Sequence, residues 1–543
     1  MTVTRDSIGV IFGKTGTHEF KFAIPNTNLV KRTDYIKVWH ESDGWILAQV
    51  VSMTSSSDDF NLESAANAAS GENVKIPHNK FEAEALIIGF RDREGLLRVP
   101  RTPFSSGDKV FPADHDMIRS ILGLSNGNIF IGLLEGHDIK VSLDMNNLIQ
   151  KHCSILAKTG SGKSYTAGVI LEEILEHKIP LLIIDPHGEY GSLKVPGPGN
   201  IEAIYNKYGI SPKGYGSQIT IYTPANKVLN READDVFRMD GINLSIKNLI
   251  QILPDEKSSN QQGILYEAIT KLKAENDRYT IDDIIFEVGN NKSKLKWGVI
   301  ASLESIKESE ILSEHPTKIT QLFSPDKASI IDMKGVAPPL QGMIVAKLCN
   351  DLFEARKMGK IPPGMLVVEE AHNFCPERGF EKTASTEILR TIASEGRKFG
   401  LGMMVISQRP ARIDKNVLSQ CNTQIIMKMT NPNDLKAISK GLEGISSEVE
   451  EELKRLPPGV SILVSNDIEL PVIVDIRVKK SKHGGESVKI LSSSVPAARS
   501  QTSKDPVKPE KSKVLKNEKK EQDEPKQDGS SLFKKLFGSS KDK

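Results

Sequence analysis

Cysteine is scarce in this chain: of 543 residues only Cys153, Cys349, Cys375 and Cys421 are thiols, and no two have zinc-ligand or redox spacing. That excludes a disulfide framework and a thiolate metal site, and predicts four reduced thiols in apolar surroundings. Long apolar runs are missing too. None reaches the roughly 18 residues that cross a bilayer, and residues 1–7 lack the apolar core of a signal peptide. The expectation is a cytoplasmic protein without a transmembrane segment. A surplus of one charge is also lacking, since 72 Lys and Arg face 70 Asp and Glu for a net +2. Bulk charge therefore gives no argument for nucleic acid, and any such contact must come from a local basic surface such as a pore lining.

What is present is length and texture. A chain this long predicts about three units at roughly 100–200 residues each. Residues 1–115 read as short strands broken by turn signals, the pattern of a small barrel or sandwich. Residues 35–40 alternate, Asp43 and Gly44 offer a hairpin turn, and 44–51 return as a strand. A Ser-, Ala- and Asn-rich stretch, 55–70, reads as an interruption. From 116 to 480 apolar runs alternate with helical patterns, which predicts a parallel sheet with crossover helices. The predicted strands are 153–157, 181–185, 219–222, 328–333, 365–369, 401–407 and 423–428, and 230–316 reads as a helical insertion. Beyond 480 the composition is too polar to bury a core, so 481–529 reads as disordered within a tail of 481–543. Leu532, Phe533, Leu536 and Phe537 fall on one helical face near its end. They read either as a peptide docking on a partner groove or an anionic membrane surface, or as a chance cluster.

The chemistry concentrates at four places. Ala157 is followed by Lys158, Thr159, Gly160, Ser161, Gly162, Lys163, Ser164 and Tyr165, between a predicted strand and a predicted helix. Phosphate oxygens need many donors in a small space, and a glycine-rich turn at a helix N-terminus supplies backbone N–H groups. Lys163 is then expected to reach the β- and γ-phosphates of ATP and the Ser164 hydroxyl to ligate Mg²⁺. The usual first glycine of the motif is Ala157 here. Glu369 and Glu370 end the apolar run 365–368; the first is expected to hold the metal and the second to orient the attacking water. At the end of 401–407, Gln408 is placed to sense the γ-phosphate and Arg409 to add a cation. Arg397 reads either as an arginine finger on a neighbouring subunit's ATP or as a helix C-terminal cation beside Gly400.

Taken in order, the P-loop, the run Asp185, Pro186, His187, Gly188, Glu189, Tyr190, the run Glu369, Glu370, Ala371, His372, and the run Ser407, Gln408, Arg409, Pro410 resemble the HerA family of the HerA/FtsK superfamily. The resemblance spans about residues 1–480. It implies an α/β chain with an N-terminal β-barrel of the ATP-synthase type, a RecA-like P-loop motor and a helical insertion. It further implies a homohexameric ring threading double-stranded DNA, ATP sites between subunits, and a NurA-type nuclease partner in end resection and recombinational repair. Asp185 then either acts near metal or water or is a strand-end turn acid. Where the family tends to carry an arginine before the P-loop strand, this chain has Lys151, which keeps the charge without the planar fork. The competing reading is a secretion or conjugation ATPase that pumps protein or DNA at a membrane. A membrane-anchored FtsK-type chain fits less well, and Glu370 argues against a non-catalytic scaffold.

Overall fold

The computed structural model describes residues 7–58, 60–71, 79–124, 127–246, 249, 250, 253, 258–380, 383–441 and 447–484. The apolar peptide at 532–537 and the tail from 485 lie outside these residues.

The first unit of structure is an antiparallel sheet of β1 (Gly9–Ile11), β2 (Glu19–Ile24), β3 (Tyr35–His40), β4 (Gly44–Ser56), β5 (Lys80–Arg91), β6 (Leu97–Arg98) and β7 (Lys109–Pro112). Its order is β2-β1-β7-β3-β4-β5-β6, and a further β2–β5 pairing closes six strands into a barrel. Strand β2 alternates Phe20, Phe22 and Ile24 inward with Glu19, Lys21 and Ala23 outward, as a half-buried strand must. Register shifts in β4 at Leu47/Ala48 and Val50/Ser52 supply the bend that closure needs. Gly44 takes the left-handed backbone of the β3–β4 turn (φ 77°). The stretch read as an interruption instead contains a helix, Leu62–Ala69. Its alanines favour helix, and the Asn61 side chain caps it by accepting from Ser64 N at 2.9 Å.

The second sheet has twelve strands. They are β8 (Ile129–Leu134), β9 (Lys140–Leu143), β10 (Cys153–Leu156), β11 (Leu181–Asp185), β12 (Ile219–Thr223), β13 (Asp235–Val236), β16 (Ala328–Asp332), β17 (Gly364–Val368), β18 (Leu401–Ser407), β19 (Thr423–Met427), β20 (Val460–Val464) and β21 (Val472–Ile476). A separate short pair is formed by β14 (Met239–Asp240) and β15 (Leu312–Ser313). The order is β13-β12-β16-β11-β17-β18-β10-β19-β20-β21-β8-β9, parallel from β13 to β19 and antiparallel beyond. Central strands are buried on both faces. In β11, Leu182 and Ile184 join one core while Leu181 and Ile183 join the other; in β18, Met403 and Val405 oppose Met404 and Ile406. Such strands must read as unbroken apolar runs. Helices Ser259–Glu275, Ile281–Gly289 and Lys296–Glu308 pack together within 230–316. All four cysteines are buried free thiols, and burial raises the pKa of each.

Order persists slightly beyond the boundary that composition suggests. Ser481 is buried, donating from N and Oγ to Glu172 at 2.8 and 2.6 Å. Residues 477–484 form a polar strap on the helix Lys163–Glu176. Arg477, fully buried, bonds Glu172 at 3.0 Å and Glu173 at 2.8 Å, and Lys480 reaches Glu173 and Glu176. This packing is ionic rather than apolar, so hydropathy does not reveal it.

Candidate functional site

Parallel strands that run the same way deliver their carboxyl ends to one edge of the sheet. Strands β10, β17 and β18 are neighbours there through the pairings β17–β18 and β10–β18. The P-loop follows β10, the paired glutamates follow β17, and Gln408 follows β18.

In the P-loop, Gly160 (φ 79°) and Gly162 (φ 102°) both adopt backbone that side chains disfavour. Gly162 caps the helix Lys163–Glu176 with no side-chain bond, so the helix N-terminus keeps its N–H groups for an anion. The loop is anchored by Lys158 N to Lys428 O at 3.0 Å and by Ser161 N to Lys158 O at 3.2 Å. Lys163 Nζ contacts Glu369 Oε1 and lies 3.1 Å from Glu370 Oε1. Thr159 Oγ1 donates to Gln408 Oε1, joining the P-loop to the end of β18.

Glu370 carries two signs of a group held for chemistry. Its backbone is left-handed (φ 49°, ψ 46°), a conformation costing on the order of 1–2 kcal/mol for a residue with a Cβ. Its Oε2 is buried without a hydrogen bond, and His372 Nδ1 stands 3.3 Å away. The same His372 nitrogen is 3.0 Å from Ser407 Oγ, which accepts from Arg409 N at 2.9 Å. Burial lowers the His372 pKa, so the ring is held neutral beside the glutamate. A side-chain chain therefore runs from Glu370 across the sheet edge to the Gln408–Arg409 segment.

Asp185, fully buried at the end of β11, spends its oxygens on its own loop. Oδ1 accepts from Gly188 N at 2.9 Å and His187 N at 3.3 Å, and Oδ2 accepts from Tyr190 N at 3.0 Å. Burial, helped by neighbouring Asp332, pushes its carboxyl up to about 6. Asp332 ends β16 in register with Asp185, and burial raises its pKa as well. The loop sends Tyr190 inward, where its hydroxyl donates to Glu369 Oε2. Neither Asp332, His372 nor Tyr190 stands out as a functional side chain in the sequence, although the last two lie inside the quoted motifs.

Arg397 and Lys151 lie at the other edge. Arg397 is exposed in the last turn of the helix Thr386–Phe399, before β18, and lines a cleft with Gln150, Arg356, Lys357 and Lys398. Lys151 caps the helix Met145–Gln150 two residues before β10. The structure thus separates both cations from their own P-loop by the length of a strand. Arg409 is exposed at the P-loop edge. Tyr165 OH accepts from Lys479 N at 2.8 Å, which ties the residue after Ser164 to the strap.

The donor set suits a magnesium–nucleotide complex. Among the described residues no three His, Cys, Asp or Glu cluster as a metal cage. Magnesium typically rests on one or two protein oxygens and on substrate phosphates, and the Ser164 hydroxyl and Glu369 carboxylate are oxygens of that kind.

The family model for the central domain of helicase HerA matches residues 129–352, from β8 through most of the helix Pro338–Lys357. The DNA double-strand break repair helicase HerA of Sulfurisphaera tokodaii is 30% identical over 415 residues, covering 73% of this chain and 78% of that protein. The HerA of Pyrococcus furiosus is 27% identical over 89% of this chain and 96% of its own length. A probable helicase of Methanocaldococcus jannaschii is 27% identical over 89% of this chain and 93% of its own. A P-loop meeting paired glutamates and a glutamine at one sheet edge, and likeness running from the barrel through the motor, together place the chain in the HerA family of P-loop helicases.

Proposed function

We propose that this chain is an ATP-driven double-stranded DNA translocase that works as a homohexameric ring and acts with a NurA-type nuclease in DNA end resection and repair in the cytoplasm. The observation that carries the reading is the convergence of Lys163, Glu369, Glu370 and Gln408 at the carboxyl edge of β10, β17 and β18 in a HerA-family chain. The repair-helicase names of its relatives support the DNA half. In this reading 1–115 is the barrel, 116–480 the motor and 481–543 an appended tail.

Each group then has a task. The N–H groups of 158–165 and the Lys163 ammonium bind the phosphates, and Lys163 exchanges its carboxylate partners for phosphate oxygens. Bound magnesium would neutralise charge on the phosphates, held by Ser164 and Glu369. Glu370 orients and polarises water, with His372 at its back. Gln408, already bonded to Thr159, reports the state of the γ-phosphate to the segment that Arg409 begins. Arg397 and Lys151, exposed or half-buried at the far edge, serve a nucleotide held by the next subunit.

The test is ATP turnover with and without linear duplex DNA across a salt series. Turnover should rise with duplex, and binding should weaken steeply with salt. DNA-independent turnover with no salt-sensitive duplex binding would overturn the DNA half and leave the ATPase intact. Adding a NurA-type nuclease should yield ATP-dependent degradation of linear duplex.

A further inference from the structure

The side chain of Tyr190 lies at the centre of the site, and the tasks above leave it without one. It is 2% exposed, and its hydroxyl donates to Glu369 Oε2 while Glu369 Oε1 contacts Lys163. The phenol therefore touches the carboxylate proposed to hold a magnesium ion. Its backbone is fixed separately, because Asp185 Oδ2 accepts the Tyr190 N–H and Oδ1 gathers the two preceding loop amides. A ring alone would fill the space as well, and what the hydroxyl adds is the bond to Glu369 Oε2.

We infer that Tyr190 is a positioning residue for the metal site, holding the Glu369 carboxylate in place through its hydroxyl, with Asp185 fixing the loop that carries it. Groups that orient metal ligands commonly change metal affinity by about 10–100-fold when removed. The inference rests on the nucleotide and magnesium reading above.

The experiment uses full-length protein and Tyr190→Phe. Affinity for fluorescent ADP without divalent ion should stay within about twofold of wild type, because the phosphate cradle is untouched. Mn²⁺ affinity of the ADP complex, read by electron paramagnetic resonance, should fall about tenfold. The Mg²⁺ concentration for half-maximal hydrolysis should rise by a similar factor, with a smaller change in kcat at saturating Mg²⁺. An unchanged Mn²⁺ isotherm in Tyr190→Phe overturns the inference. Wild-type protein that binds neither ADP nor Mn²⁺–ADP would instead overturn the nucleotide reading beneath it. In a Glu369→Gln background the Tyr190→Phe effect should shrink, and persistence at full size shows that the phenol does not act through Glu369. Should Tyr190→Phe fail to fold, 3-fluorotyrosine at position 190 alters the acidity of the donor with little change in packing. It should shift Mn²⁺ affinity, and no shift counts against the inference.

Discussion

The residues of the site differ in which step they limit. Lys163→Ala removes the ammonium from the phosphates and should abolish nucleotide binding or turnover, read by fluorescent nucleotide titration. Glu370→Gln keeps shape and should bind ATP near normally while hydrolysing it about two to four orders of magnitude more slowly, because water positioning is lost. Wild-type turnover in Glu370→Gln would sink its assignment. A third residue-level prediction concerns His152. Its Nδ1 accepts from Met403 N at 2.9 Å and its Nε2 bonds Ala393 O at 3.0 Å, an arrangement only the neutral ring satisfies. Burial pushes its pKa down to about 4, whereas an unfolded histidine titrates near about 6.5. Between these values the unfolded chain binds the extra proton, so stability is full above about 6.5 and falls as pH drops towards about 4. The slope is about 1.4 kcal/mol per pH unit for one proton. Melts from pH 7 to 4 should show it, and His152→Gln should be shallower by that one proton.

At the scale of elements, what could be read in advance depended on how each one is buried. Strands β10, β11, β16, β17, β18 and β19 are covered on both faces and stand out as apolar runs in the sequence. Strands β8, β9, β20 and β21 are not among the expected strands, although β8 and β20 are apolar and largely buried; they form hairpins β8–β9 and β20–β21 whose place in the sheet is set by the distant β21–β8 pairing. Barrel closure through β2 and β5 is likewise a long-range event that no local pattern carries. The site divides in the same way. Lys163, Glu369, Glu370 and Gln408 announce themselves by residue type at strand ends, whereas Tyr190 acquires meaning only when β11 and β17 lie side by side. The strap was hidden because its contacts are charge pairs between residues 304 or more positions apart. Its central pair gives a stability prediction. Arg477→Leu leaves Glu172 buried with its Ser481 and Lys480 donors but without a cation, and should cost about 3–5 kcal/mol, measured by denaturant unfolding.

For the whole molecule, the decisive geometry is the division of the motor into two edges. The phosphate cradle occupies one, and Arg397 and Lys151 stand at the other. One chain does not bring them together, and under the proposed ring they would belong to adjacent sites. Mixing inactive Arg397→Ala and Lys163→Ala proteins should then restore part of the turnover, since some interfaces join an intact cradle to an intact arginine. No restoration at any mixing ratio would remove Arg397 from the active interface.

The strap also sets a practical border for shortening the protein. Composition suggests that everything after 480 is dispensable, yet a chain trimmed there would lose Ser481, whose N and Oγ donate to the buried Glu172 on the helix that begins with Lys163. A trimmed protein would be expected to bind nucleotide poorly for reasons unrelated to chemistry. Affinity handles and crystallisation trims therefore belong after 484.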